Sequence, residues 1–190
     1  QADAFYRNRG DGTFEDATLR VGLSGMGRAM GVTAADFDGD GFDDVYVTND
    51  ASENFLLRNV AGRRFENVAL AQGVAFNGLG DQAASMAVDV GDYDGDGRLD
   101  LFVSDNALSS LFRNQGGDFA EMTAETGIAR SSAQYVGWGA FFLDFDNDGA
   151  LDVFAPNGFV SGERGPDLDS FFWRQVVLQS PENPGDAGPN

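Results

Sequence analysis

Asp92 to Asp100 reads "DYDGDGRLD", with carboxylates at the first, third, fifth and ninth positions and a glycine at the sixth. Nine residues carrying that many like charges repel one another unless a cation lies among them. The same spacing occurs in "DFDGDGFDD" (36–44) and "DFDNDGALD" (144–152). In each stretch the aspartates supply hard oxygen donors, and the seventh residue adds a backbone carbonyl. That residue is Phe42, Arg98 or Ala150, three unlike side chains, as suits a position where only the carbonyl is used. An oxygen cage without nitrogen or sulfur favours calcium, which takes six to eight oxygens in flexible geometry, over magnesium, which demands an octahedron and keeps its waters. The spacing resembles the first half of an EF-hand, but position 12 is Val47, Val103 or Ala155 where that motif needs a glutamate. The flanking segments also have the pattern of strands, so the loops are not EF-hands and lack the paired helices of a calcium sensor.

Composition narrows the remaining chemistry. Among 190 residues the acidic ones outnumber the basic ones 31 to 12, for a formal charge of −19. This balance argues against nucleic acid and anionic membranes as partners, and no apolar run is long enough to insert in a membrane. Histidine and cysteine are both absent. The usual general base, the thiol and serine nucleophile arrangements and ordinary zinc sites are therefore unavailable. The first residues, "QADAFYRNRGDG", show no basic and apolar leader, which could have been removed already.

The elements around the acidic loops repeat with them. After the loops come "DVYVTN", "DLFVSD" and "DVFAPN", and before them "AMGVTAA", "SMAVDVG" and "GWGAFFL", all strand-like. Gly31, Ala87 and Gly139 occupy one equivalent position, where a small side chain lets a neighbouring backbone come close. A hairpin signature recurs as "FYRNRGDGTF", "LLRNVAGRRF" and "LFRNQGGDF", followed by "VGLS", "QGVAF" and "TGIAR". Its arginines, Arg7, Arg58 and Arg113, are expected to pair with loop aspartates, and the "RGD" at Arg9–Asp11 reads as turn chemistry. Four short strands per repeat of roughly 40 to 50 residues is the make-up of a β-propeller blade. The expected fold is therefore all-β, an incomplete propeller of about three blade equivalents.

These units resemble FG-GAP/VCBS-type repeats, as in integrin α-subunit propellers and the cartilage-acidic-protein (ASPIC/UnbV-like) group. The resemblance rests on "DFDGDGFDDVYVTN", "DYDGDGRLDLFVSD" and "DFDNDGALDVFAPN" with their "RN-G-F" hairpins, over about residues 4 to 158. It implies one calcium ion per loop, an extracellular or cell-surface location and a binding role. Carried over residue by residue, the implied ligands are Asp36, Asp38, Asp40, Phe42 and Asp44; Asp92, Asp94, Asp96, Arg98 and Asp100; and Asp144, Asp146, Asp148, Ala150 and Asp152. The departure is in copy number: such propellers usually close with about seven blades, and this chain has three acidic loops.

The expected organisation is a repeat region over 1–160: a hairpin half-blade at 1–24, repeats at about 25–76 and 77–130, and a terminal half-blade at 131–160. Residues 161–180 read as a capping or docking segment, with "DLDSFFWRQVVLQS" either a short helix or an apolar strand, and 181–190 as a disordered tail. The two half-blades are complementary, so the chain is expected either to be a piece of a longer propeller or to associate with itself head to tail, in a ring or fibre. Two functional classes follow. One is a non-enzymatic, calcium-stabilised structural or adhesion module with a possible carbohydrate or protein ligand. The other is part of a larger propeller that binds or cleaves polysaccharide as a calcium-dependent lyase or hydrolase. Catalytic groups should appear as polar residues in one repeat that the others lack. Glu121, Tyr135 and Glu163 form no recognisable set, which favours the first class.

Overall fold

The computed structural model describes residues 3–23, 27–106, 108–132 and 135–158. The segments expected at 161–180 and 181–190 lie outside the described residues. The chain opens on a hairpin of β1 (Tyr6–Asn8) and β2 (Phe14–Asp16). A four-stranded antiparallel sheet follows in sequential order: β3 (Ala29–Ala35), β4 (Asp44–Asn49), β5 (Phe55–Val60) and β6 (Arg64–Asn67). A second sheet repeats it with β7 (Ser85–Gly91), β8 (Asp100–Asp105), β9 (Ser110–Asn114) and β10 (Phe119–Glu121). One helical turn, α1 (Ile128–Ser132), interrupts the strands and leads into β11 (Val136–Gly137), β12 (Phe141–Leu143), β13 (Asp152–Phe154) and β14 (Asn157–Gly158). There β12 pairs with β13 and β11 with β14, so the third unit contains the loop and its two flanking strands. Among the described residues the fold is all-β apart from α1, and its meander sheets have the make-up of propeller blades. Among the described residues no helix is long and apolar enough to cross a membrane.

The strand before each acidic loop carries the same irregularity. The register slips between Ala29 and Gly31 and between Ser85 and Ala87, so Met30 and Met86 are the extra residues of a bulge. In the third unit the slip falls between β11 and β12, where Trp138 stands in the corresponding place and donates its amide to the Pro156 carbonyl at 2.9 Å. Just past the bulge, the expected close approach occurs. A Cβ on Gly31 would lie 3.0 Å from the Ala87 Cα and 3.0 Å from the Met86 carbonyl oxygen. The two pre-loop strands thus pass one another with almost no side-chain spacing.

Successive side chains of a strand point to opposite faces, and β8 uses both. Leu101 and Val103 join a cluster with Phe37, Tyr46, Leu56, Phe112 and Phe119, between the two four-stranded sheets. Phe102 joins Leu111 and Phe142 on the other side, against the third unit. All six residues of β8 are buried, which is why Leu101, Phe102 and Val103 are apolar in succession rather than alternating with polar residues. Tyr46, fully buried, donates its hydroxyl to the Val74 carbonyl at 2.8 Å, satisfying the one polar atom it brings into the core.

Gly31→Val should destabilise the protein by about 1–3 kcal/mol, the usual cost of forcing extra atoms into a closed contact. Urea unfolding followed by fluorescence measures it. Ala34→Val, at an exposed place on the same strand, should change stability by less than about 0.5 kcal/mol.

Candidate metal centres

Each acidic loop joins two antiparallel strands and is organised by its own carboxylates. In the first, Asp36 accepts hydrogen bonds from the Gly39 and Asp40 amides on Oδ1 (2.9 and 3.1 Å) and from the Gly41 amide on Oδ2 (2.9 Å). Asp92 receives the Asp96 and Gly97 amides at 3.0 and 2.8 Å, and Asp144 the Asp148 and Gly149 amides at 3.1 and 3.0 Å. The fifth-position carboxylates accept the amides of Phe42, Arg98 and Ala150 at 2.9, 3.0 and 2.8 Å. This winding requires left-handed backbone at the fourth and sixth positions. The sixth is always glycine, with φ of 88°, 87° and 90° at Gly41, Gly97 and Gly149. The fourth is Gly39, Gly95 or Asn147, and asparagine is the side chain that best tolerates this region.

The winding gathers Asp36, Asp38 and Asp40 so that one carboxylate oxygen of each lies within 4.8 Å of the others; Asp92, Asp94 and Asp96 gather likewise, as do Asp144, Asp146 and Asp148. Three oxygen-only triads of this kind can hold a hard metal ion. The ninth-position aspartates stand apart from the triads, each at the start of the strand that follows. Asp44 accepts the Asn59 amide at 2.7 Å. Asp100 accepts the Asn114 amide at 2.8 Å and the Tyr93 amide at 3.0 Å, and Asp152 accepts the Phe145 amide at 3.1 Å. Asp44 and Asp100 are buried. Burial pushes both carboxyls above their ordinary range; the amides they accept work against this, and the triad charges of Asp38 and Asp40, or Asp94 and Asp96, add to it. A cation in the triad would offset that like-charge repulsion, which fits a metal to these loops.

Arg98 does more than offer a carbonyl. Its guanidinium pairs with Asp96 and donates from Nε to the Asn114 carbonyl at 2.9 Å. Arg113 lies 3.9 Å from Asp94. The second triad thus has two cationic side chains beside it. The expectation that all three repeat arginines pair with loop aspartates holds only for Arg113. Arg58 faces Glu66 across its hairpin at 2.9 Å, and Arg7 lies 3.8 Å from Glu15. The residue opposite Arg113 is Ala120, so that arginine turns to the loop instead. Arg9 also pairs with Glu15, at 3.5 Å, while Asp11 accepts the Thr13 amide at 2.9 Å, in keeping with turn chemistry for "RGD".

Sequence reasoning noted the asparagine beside each arginine without a role for it. Asn59 donates to the Asp43 carbonyl at 3.0 Å and accepts the Gly62 amide at 2.9 Å, tying loop to hairpin. Asn114 accepts the Gly116 and Gly117 amides and donates to the Leu99 carbonyl of its own loop at 3.1 Å. It also donates to the Phe37 carbonyl of the preceding unit's loop at 2.8 Å. The signal was there: Asn59 and Asn114 recur at nearly constant distance from Asp44 and Asp100.

Asn114→Ala leaves one buried and one half-buried carbonyl without this donor and should cost about 2–3 kcal/mol, read from chemical denaturation. Arg98→Ala removes a cation that competes with a bound ion. It should tighten metal binding at the second loop by up to about five-fold, the worth of one exposed ion pair, as measured by calorimetric titration with calcium.

Three segments of the chain, residues 1–47, 36–103 and 92–155, match the FG-GAP-like repeat. Among characterised proteins it is similar to human cartilage acidic protein 1, 29% identical over 165 residues, and to cartilage acidic protein 1 of Xenopus tropicalis, 28% identical over 169. Each alignment covers 80% of this chain and 24% of the relative, so the chain spans about a quarter of the length of either. With the repeat matched across all three acidic loops, the chain belongs to the FG-GAP-like repeat family and is a distant homologue of cartilage acidic protein 1.

Proposed function

We propose that this chain is a non-enzymatic, calcium-stabilised extracellular module that assembles by pairing its end units with further blades, those of a second copy included. The observation that carries the reading is the triad repeated in three loops of like construction. Each triad concentrates negative charge that a calcium ion would neutralise. The Asn114–Phe37 hydrogen bond then couples the first loop to the next unit, so an ion at one loop stiffens the contact between two.

Assembly is supported by how the units already join. The Phe65 amide donates to the Val21 carbonyl at 2.8 Å, and the Phe119 amide donates to the Gln72 carbonyl at 3.0 Å. Thr126–Gly127 is the third turn of this kind, suited to take the corresponding amide of another hairpin. Phe37 and Phe119 meet edge to face, whereas Phe145, at the same loop position as Phe37, is 79% exposed, and Phe154 on the neighbouring strand is 60% exposed. A further hairpin laid there would cover both rings. A structural role also agrees with Glu121, whose carboxylate accepts the Thr123 amide at 3.0 Å and so braces a turn. Glu163 lies outside the described residues.

At free calcium about 100 times the dissociation constant, each occupied site stabilises the fold by about 2.7 kcal/mol. Chelation with excess EDTA should therefore lower the melting temperature by upward of about 10 °C, and an unchanged melt would refute the calcium reading. Sedimentation velocity in saturating calcium tests assembly separately. Mass should rise with concentration for the parent chain and stay monomeric for Phe154→Asp, whereas a monodisperse monomer for the parent would exclude self-association.

A further inference from the structure

Every one of the twelve basic residues is an arginine, and six of them, Arg7, Arg9, Arg20, Arg58, Arg63 and Arg64, fall in the first hairpin and the outer strands of the first four-stranded sheet. In a chain of formal charge −19, that is a strongly uneven distribution. Four of them line a cavity of about 400 Å³ between the two elements, walled also by Phe5 and Phe65. The two rings meet edge to face with centroids 5.8 Å apart.

The cations outnumber their partners. Glu15 is shared by Arg7, Arg9 and Arg20, at 3.8, 3.5 and 2.5 Å. Glu66 is shared by Arg58 and Arg64, at 2.9 and 2.5 Å. Arg63 has no acidic partner among the described residues, and Arg7 and Arg64 keep more than half of their side-chain surface open to solvent.

Comparison with the next junction separates this cavity from the repeat scaffold. The Phe65–Val21 and Phe119–Gln72 hydrogen bonds align the two junctions. At the second, Ala71 stands for Arg20, Gly117 for Arg63 and Asp118 for Arg64. The fold therefore does not need arginines there, since an equivalent junction forms with none of these three and one reversed charge. They are residues that one repeat has and the other lacks.

We infer that this cavity is a binding site for a sugar bearing an oxyanion substituent, a uronate carboxylate or a sulfate ester. Guanidinium groups offer forked donors that match carboxylate and sulfate oxygens two at a time. Phe5 and Phe65 provide an apolar wall against which a pyranose ring can lie, and the volume falls in the range of small-ligand sites. The site lies at the hairpins and does not use the acidic triads, so this inference goes beyond the calcium reading and stands or falls apart from it.

The test is calorimetric titration of a heparin-derived tetrasaccharide, which carries both oxyanions, into the full chain held in saturating calcium. Binding is expected for the parent, with at least a ten-fold loss in Arg63→Ala/Arg64→Ala. The uncharged tetrasaccharide chitotetraose should not bind. Arg63 lies in an exposed turn and Arg64 is the exposed first residue of β6, so the double variant should melt within about 2 °C of the parent; Arg63→Lys/Arg64→Lys, which keeps charge and loses the fork, should fall between the two. Absence of binding by the parent, equal binding by the double alanine variant, or equal binding of chitotetraose would each overturn the inference. Poly-L-glutamate competing at equal concentration of charge would also overturn it, by making the site a surface for acidic peptide.

Discussion

The structure depends on holding three carboxylates within 4.8 Å of one another in a nine-residue loop, three times over. Like charges at that separation oppose folding, and two devices answer them here. Backbone amides wound by left-handed glycines point at the first and fifth carboxylates. The ninth carboxylate, at the start of the next strand, is hydrogen-bonded to the adjoining backbone. What the amides leave uncompensated is the net charge, which a cation held by the triad would offset. The strand pairs on either side then inherit a defined separation and register.

Around these loops, stacking follows one rule used twice. A phenylalanine in each hairpin donates its amide to a carbonyl in the turn of the preceding unit, while Gly31 permits the pre-loop strands to run nearly in backbone contact. The outer and inner edges of neighbouring sheets are thereby fixed separately, and the wedge between them fills with Phe37, Tyr46, Leu101, Phe112 and Phe119. Because β8 is packed on both faces, it behaves as the centre of the stack.

The repeats differ mainly where charge is concerned. The second loop keeps Arg98 and Arg113 beside its aspartates, and the first junction keeps a surplus of arginine that the second replaces by Ala71, Gly117 and Asp118. Such differences cost the scaffold little, since exposed ion pairs contribute at most about 1 kcal/mol each. They are therefore the places where one unit can acquire a role of its own without disturbing the stack.

Much of this was readable in the amino-acid sequence because it is local. Aspartates at alternate positions around Gly39 and Gly41, or around Gly95 and Gly97, encode both the donor set and the turn that presents it, within one loop. The short β-prone runs and "RN-G-F" hairpins likewise specify a four-stranded unit from neighbours in the chain. What required the tertiary structure joins residues far apart. Asn114 reaches the Phe37 carbonyl 77 residues away, Arg58 chooses Glu66 while Arg113, facing Ala120, turns to Asp94, and Phe5 meets Phe65 over an arginine-lined cavity. Periodicity and spacing carry no signal for such contacts. They are decided by which backbones come side by side when the sheets stack, and by which partner is left within reach once they have.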